Sequence, residues 1–265
     1  MERRGVKGID PANIVMTSGS TAAMDMITRM LMDPGDTMII EAPTLMGCLD
    51  SIKNWGLNLV EVPIDSDGIR TDILRDTLAR RKKDGIHPKM IYVMSNYHNP
   101  GGIMLSQERR RELAELAVEY DTLIAEDDAY SELLYDVEQD QTPIKAYDTT
   151  GNVLYLGSFS KLVAPGLRVG WAIVPDDLVK TWNICRPMFD VGSPSLNQEL
   201  IAELHADNWL DGHIVQLIEK YKSRRDAMLS ALEENMPSDC TWTPAHGGFY
   251  VWVTAPESID IDRLL

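Results

Sequence analysis

Cysteine is scarce in this chain of 265 residues: there are three, Cys48, Cys185 and Cys240, widely spaced and without a CxxC pair. So odd and scattered a set argues against a disulfide framework and against a thiolate zinc site. No metal is expected, and a reducing, cytoplasmic setting fits best. A basic surplus is missing as well. The chain has 25 Lys and Arg against 41 Asp and Glu, a formal net charge of −16. That balance argues against nucleic acid or an anionic membrane as partner, since both require a basic surface. No apolar run is long enough to span a bilayer, and Met1 leads into Glu2-Arg3-Arg4 instead of the apolar stretch of a signal peptide. Internal repeats and low-complexity tracts are absent too. What remains is 44% hydrophobic and 25% charged, an ordinary globular composition. The length suits one large domain, or one domain with part of a second.

Short apolar runs alternate with longer amphipathic segments. Strands are expected at Ile14–Thr17, Met38–Ala42, Leu59–Ile64, Met90–Ser95, Leu123–Asp127, Val153–Gly157 and Val169–Val174. Several are continuously apolar, as strands buried on both faces should be. Helices are expected between them, at Thr21–Met32, Met46–Trp55, Thr71–Lys83, Gln107–Glu119 and Asp176–Arg186. Such alternation predicts an α/β fold, a mostly parallel (mixed) sheet sandwiched by helices. Asp33-Pro34-Gly35-Asp36 and Asp65-Ser66-Asp67-Gly68 read as turns, and Ser106 as a helix cap. From Trp209 to Asn235 a long amphipathic pattern carries Asp211, His213, Lys220, Lys222, Arg224 and Arg225 on faces that read as solvated helix surface. After Pro237, Trp242-Thr243-Pro244 and Gly247–Val253 read as a β-hairpin opening a smaller α+β domain. The expected organisation is a large domain over residues 1–207. A connecting helix and the incomplete start of the small domain follow over 208–265.

The segment Ser158-Phe159-Ser160-Lys161-Leu162-Val163-Ala164-Pro165, continuing to Arg168, sets one lysine just after two hydroxyls with an arginine seven residues on. These are parts for holding a phosphorylated aldehyde: an amine that condenses with the aldehyde, and donors for a dianionic phosphate. Pyridoxal 5'-phosphate, bound as a Schiff base to an active-site lysine, needs both. The segment resembles the lysine-bearing stretch of the fold-type I, class I/II aminotransferases.

Other motifs follow in that family's order. Thr17-Ser18-Gly19-Ser20-Thr21-Ala22 lies where the first strand gives way to the first helix. There Gly19 permits close approach, and the amides of Ser20, Thr21 and Ala22 can point at a phosphate; alone it would be an N-cap and turn. Glu41-Ala42-Pro43-Thr44-Leu45-Met46-Gly47 resembles the family's Glu-x-Pro-Thr-Tyr-x-Gly segment, but with Leu45 where an aromatic faces the pyridine ring. In Asn96-Tyr97-His98-Asn99-Pro100-Gly101-Gly102, Asn99 matches the asparagine that bonds the ring's phenolic oxygen, and Gly101 replaces a usual threonine. His98 reads as lining or packing, because the family uses its lysine for the mobile proton. Glu126-Asp127-Asp128-Ala129-Tyr130 closes a strand, where a carboxylate faces the ligand crevice of an α/β sheet. In isolation it is an acidic loop with a packed tyrosine. Within the resemblance Asp127 pairs with the pyridinium and Tyr130 bonds the phenolic oxygen. Gly247-Gly248-Phe249-Tyr250-Val251-Trp252 resembles the Gly-Gly-x-Phe-x-Trp strand of the family's small domain. The texture is nearest the aminoadipate/aromatic/kynurenine-type members.

The resemblance implies a transaminase that moves an amino group between an L-amino acid and a 2-oxo acid. Catalysis would rest on Lys161, Asp127 and Tyr130. Cofactor contacts would come from Gly19, Ser20, Thr21, Ala22, Leu45, Asn99, Asp127, Tyr130, Ser158, Ser160, Lys161 and Arg168. It implies a homodimer for the full-length protein. It also implies that the sequence is a fragment, since relatives have a segment before the equivalent of Met1 and continue beyond Leu265. The arginine that clamps the substrate carboxylate has no match here, Arg263 lying too early. A β-lyase of the same fold, a non-catalytic cofactor-binding effector domain and an inactive fragment stand as alternatives.

Overall fold

Residues 1–136, 139–260 and 263 are described by a computed structural model. The last positions of the expected small-domain start, 261, 262, 264 and 265, lie outside the described residues. Ten strands and seven α-helices are present among those described. In chain order the first part runs β1 (Ile14–Thr17), α1 (Ser20–Leu31), β2 (Thr37–Ala42), α2 (Met46–Asn54), β3 (Asn58–Asp65), β4 (Gly68–Ile69), α3 (Thr71–Lys83), β5 (Pro88–Met94), α4 (Gln107–Glu119) and β6 (Leu123–Asp127). It continues with β7 (Val153–Ser158), β8 (Gly170–Ile173), α5 (Asp176–Cys185), α6 (Ser195–Ala206), α7 (Trp209–Asn235), β9 (Thr241–Trp242) and β10 (Val253–Thr254). The seven expected strands and the five expected helices therefore form, most within a residue or two of their predicted ends.

Eight strands join in one sheet in the order β1-β8-β7-β6-β5-β2-β3-β4. Strands β3, β2, β5, β6 and β7 are mutually parallel, while β8 runs antiparallel to both β7 and β1. The apolar strands sort their side chains by period 2 onto two faces. Met38, Ile40, Met90, Tyr92, Ala125, Leu154 and Leu156 pack with α1 and with Trp182 of α5. Ile39, Ile91, Val93, Ile124 and Val153 pack on the opposite face with Leu74 and Leu78 of α3 and Leu113 and Leu116 of α4. Both faces are covered, which is why these strands read as unbroken apolar runs. Ser106 caps α4 by accepting the Arg109 amide (3.4 Å), and Gly35 turns the chain at φ 94° between α1 and β2.

Three features differ from the sequence reading. Helix α6 was not expected. Leu196 and Leu200 on it are exposed, so it shows no inward apolar stripe. The hairpin is shorter than predicted: only Thr241–Trp242 and Val253–Thr254 pair. The span between them folds back onto the large sheet's loops, where Gly248 N–H donates to Leu133 O (3.0 Å) and Tyr135 N–H to His246 O (2.8 Å). Gly247 and Gly248 make this possible, since a Cβ at either would collide with Tyr97. The third difference is on α7. Arg225, read as solvated surface, is drawn to Asp136 and donates to Ala245 O (2.8 Å), while Lys222 pairs with the same carboxylate (3.0 Å). Charge pairing with the loop after β6 thus fixes the middle of the long helix against the returning chain.

Candidate active site

The C-terminal ends of β1, β6 and β7 bring most of the predicted residues together. At one end, β1 hands over to α1 through Ser18 and Gly19. Gly19 sits at φ 105°, and a Cβ there would come within 2.5 Å of Arg168 Nη2. Gly170 is equally constrained, because its Cβ would lie 2.7 Å from Gly19 Cα. Two absent side chains thus let a turn, a strand and a guanidinium nest together. Arg168 donates from Nη2 to Ser18 O (2.9 Å) and from Nη1 to Ser160 Oγ (3.3 Å) and Pro165 O (3.2 Å). Ser158 Oγ accepts the Ser160 amide (3.2 Å). The first bond of α1 runs from Ala23 N–H to Gly19 O (3.1 Å). The amides of Ser20, Thr21 and Ala22 therefore precede any intrahelical partner and make an anion-binding end. Gly19, Ser20, Thr21, Ala22, Ser158, Ser160 and Arg168 thus form one cluster of donors.

The next element resolves an ambiguity among three consecutive acids. Glu126 is buried on one face of the sheet and accepts the amides of Ile144 (2.9 Å) and Lys145 (2.9 Å). Asp128 accepts from Arg4 Nη2 (2.5 Å), the Tyr155 hydroxyl (2.7 Å) and Asn96 Nδ2 (2.8 Å). Asp127 differs. Its Oδ2 accepts the Tyr92 hydroxyl (3.0 Å), whereas its buried Oδ1 has no hydrogen-bond partner. Burial pushes the Asp127 carboxyl up to about 7; the neighbouring Asp128 adds to this, while the hydroxyls of Tyr92 and Ser20 and the charge of Lys161 oppose it. Of the three acids, Asp127 alone is held ready for a cationic donor that the protein does not supply.

Lys161 lies beyond β7, between Ser160 and Leu162. Its Nζ is 5.7 Å from the centroid of the Tyr130 ring and 5.7 Å from that of Phe249, an aromatic cleft suited to an ammonium. Tyr130 is buried and meets Phe249 edge-on at 5.5 Å and Tyr250 at 6.1 Å. Burial raises the Tyr130 hydroxyl above the ordinary phenol range; Tyr250 adds to the rise and the Asn99 side chain works against it. Asn99, from the turn after β5, therefore reaches the same hydroxyl. Leu45 is half-buried and packs on the hydrophobic layer that holds Tyr92 and Tyr130, but no ring contact ties it to Lys161.

His98 is fully buried. Its Nε2 stands 3.2 Å from Glu41 Oε2, and its Nδ1 accepts the Gly101 amide (3.1 Å). It packs beneath the turn, as expected. It also accounts for Gly101, where a Cβ would meet His98 Nδ1 at 3.0 Å and Ile64 Cδ1 at 3.1 Å. Tyr92, Arg4 and Phe249 are not legible as site residues in the sequence. A tyrosine inside an apolar strand reads as core, and an arginine at position 4 reads as a terminal charge. Phe249 carried a signal, its place after the paired glycines, but none that set it over Lys161.

Two cavities flank this cleft. One of about 640 Å³ is bordered by Asp65, Tyr97, Gly102, Trp242 and Trp252, and one of about 620 Å³ by Arg4, Ser131, Tyr155, Ser158 and Trp171. No helix among the described residues is long and apolar enough to cross a membrane.

The chain also has relatives among known proteins. The chain is 40% identical over 257 residues to aromatic-amino-acid aminotransferase 1 of Thermococcus litoralis, covering 97% of this chain and 61% of that protein. It is 32% identical to the uncharacterized HTH-type transcriptional regulator YisV of Bacillus subtilis, over 96% of this chain and 51% of that protein. The kynurenine aminotransferase of Pyrococcus horikoshii, solved in complex with PMP and with KYN as substrate and KYA as product, superposes with a TM-score of 0.93. Its identity is 37%, over 97% of this chain and 64% of that one. The chain thus spans 51–64% of the length of these relatives. The model of the family Aminotransferase class I and II matches residues 1–261, and the chain belongs to that family.

Proposed function

We propose that the protein is a pyridoxal-phosphate-dependent transaminase that moves an amino group between an L-amino acid and a 2-oxo acid. The carrying observation is the unpartnered Oδ1 of Asp127, buried on the strand end beside a lysine and a nest of phosphate donors. A protonated ring nitrogen supplies the missing donor, so the residues present fit the cofactor. When bound, pyridoxal phosphate supplies the electron sink and the temporary carrier of the amino group.

The chain's own residues do the rest. The first-turn amides of α1, Ser158, Ser160 and Arg168 bind the phosphate. Asp127, as carboxylate, keeps the ring nitrogen protonated. Tyr130 and Asn99 hold the ring's phenolic oxygen. Lys161 would hold the aldehyde carbon through its amine; once the substrate's amine displaces it, the freed amine would carry a proton from the substrate's α-carbon to that aldehyde carbon, as general base and then acid. Phe249 and Tyr130 flank the lysine amine, each ring centroid 5.7 Å from Nζ.

Residues 1–207 serve as the cofactor-binding unit, and 208–265 as the connecting helix and the start of a second unit. A homodimer is supported by the exposed Ile184, Met188, Val191 and Leu196. These lie next to the phosphate end, to which Ser18 Oγ links the same segment through Asp190 (2.9 Å). Free cysteines and the absence of a long apolar helix among the described residues suit a cytoplasmic enzyme.

The test is the visible spectrum of the chain with pyridoxal phosphate, beside Lys161→Ala. A pH-sensitive yellow band present only with Lys161, bleached by L-amino acids and restored by 2-oxo acids, supports the proposal. Amino-group transfer that survives in Lys161→Ala sinks it. The likeness to the HTH-type regulator favours one second reading, a cofactor-binding effector domain. In that case the band forms with Lys161 but no 2-oxo acid restores it after bleaching.

A further inference from the structure

Tyr92 stands in the middle of β5, within the apolar run Pro88–Met94. Phenylalanine would fill the same space without a hydroxyl to satisfy. The ring is completely buried, and the hydroxyl spends its hydrogen bond on Asp127 Oδ2 at 3.0 Å. Strand register brings the pair together. In the parallel β5–β6 ladder Tyr92 lies opposite Ala125 and Met94 opposite Asp127. Tyr92 and Asp127 therefore point to the same face, two residues apart along the strand direction.

We propose that Tyr92 is a positioning residue for the carboxylate assigned to the ring nitrogen: its hydroxyl engages Oδ2, fixing the carboxylate plane and leaving Oδ1 as the one free acceptor. The inference rests on the cofactor reading above. It follows from how little else holds that carboxylate in its ionised form. Around Asp127 stand Ser20 at the start of α1, Cys48 on α2, Glu41 on β2, Asp128 beside it and Lys161 beyond β7. Burial and Asp128 favour the protonated acid, against which Tyr92, Ser20 and Lys161 act. The Cys48 thiol, pushed up to about 12 by burial and by Asp127, stays neutral. Tyr92 itself is held well above the ordinary phenol range by burial and by Asp127. It therefore donates to Oδ2 without giving up its proton.

The experiment measures pyridoxal phosphate affinity against pH for the wild-type chain, Tyr92→Phe and Asp127→Asn. Binding should weaken as pH falls through about 7, where Asp127 takes up a proton. Losing one hydrogen bond to a charged group should move that midpoint up by about one pH unit in Tyr92→Phe, roughly tenfold in affinity near neutrality. In Asp127→Asn the midpoint should vanish. A Tyr92→Phe chain with an unmoved midpoint overturns the inference, whether or not affinity drops uniformly. If no cofactor binds at any pH, the functional reading fails, and carbon-13 titration of the Asp127 carboxyl in the cofactor-free chain still decides the role of Tyr92. An upward shift in Tyr92→Phe sustains it, and no shift overturns it. Should Tyr92→Phe not fold, 3-fluorotyrosine at position 92 is nearly isosteric and a stronger donor. It must lower the midpoint, and an unchanged midpoint overturns the inference.

Discussion

Asp127 and Asp128 are consecutive and equally buried, yet Asp128 has three hydrogen-bonding partners and Asp127 keeps one oxygen bare. The difference comes from strand geometry. Successive side chains at the end of β6 point to opposite sides, one toward Arg4 and Tyr155 and the other toward the lysine cleft.

Asp127→Asn should therefore change stability and cofactor binding in opposite directions. The folded carboxyl titrates near 7 against an ordinary 3.8. Between those values the native state holds a proton that the unfolded chain has released, so stability falls as pH rises from about 4 to about 7 and stays low above. Asparagine removes that loss. Thermal unfolding without cofactor should show the variant stabilised at pH 8, by on the order of 4 kcal/mol, with the advantage gone at about pH 4. Pyridoxal phosphate affinity should drop in the same protein. An equal melting difference at both pH values contradicts the account.

Leu45→Tyr should strengthen cofactor binding. Leucine packs on a ring face by dispersion alone, and an aromatic adds on the order of 1 kcal/mol, roughly fivefold in the dissociation constant. Titration of the visible band measures it. Unchanged or weaker binding would mean that Leu45 does not face the ring.

Gly101→Thr, the residue usual among the relatives the sequence resembles, should destabilise this chain by about 1–3 kcal/mol. His98 Nδ1 and Ile64 Cδ1 stand 3.0 and 3.1 Å from where the new Cβ would go. His98→Ala makes room, so the two substitutions should be non-additive in a double-mutant cycle. Additive melting losses would refute the steric explanation.

The sheet was legible because both its faces are covered. Continuous apolar runs such as Met38–Ile40 and Met90–Val93 marked it, and turn residues bounded them. The direction of β8 was not legible, since Gly170–Ile173 has the same apolar pattern whether parallel or antiparallel. Helix α6 hid because its leucines face outward. In the site, lysine and arginine stood out by their motif, and the aspartate only through the resemblance to the family's order of motifs. Tyr92 could not, because its hydroxyl acquires meaning only when strand pairing sets it beside Asp127. Arg4 gave no signal for the same reason: its partners lie more than 120 positions away.

The antiparallel β8 has a kinetic consequence. It pairs Thr17 with Gly170 and Ile14 with Ile173, joining residues about 150 positions apart. Contacts of such high order close slowly, after the local helices and the central ladder have formed. Until β8 docks, β1 has no neighbour in the sheet, and the Arg168 guanidinium has no Ser18 carbonyl to hold it. The helix amides and the arginine become a single anion receptor only at that moment. The rate of phosphate capture in refolding should then report when β8 closes the edge, while far-ultraviolet signals report the local helices and central ladder.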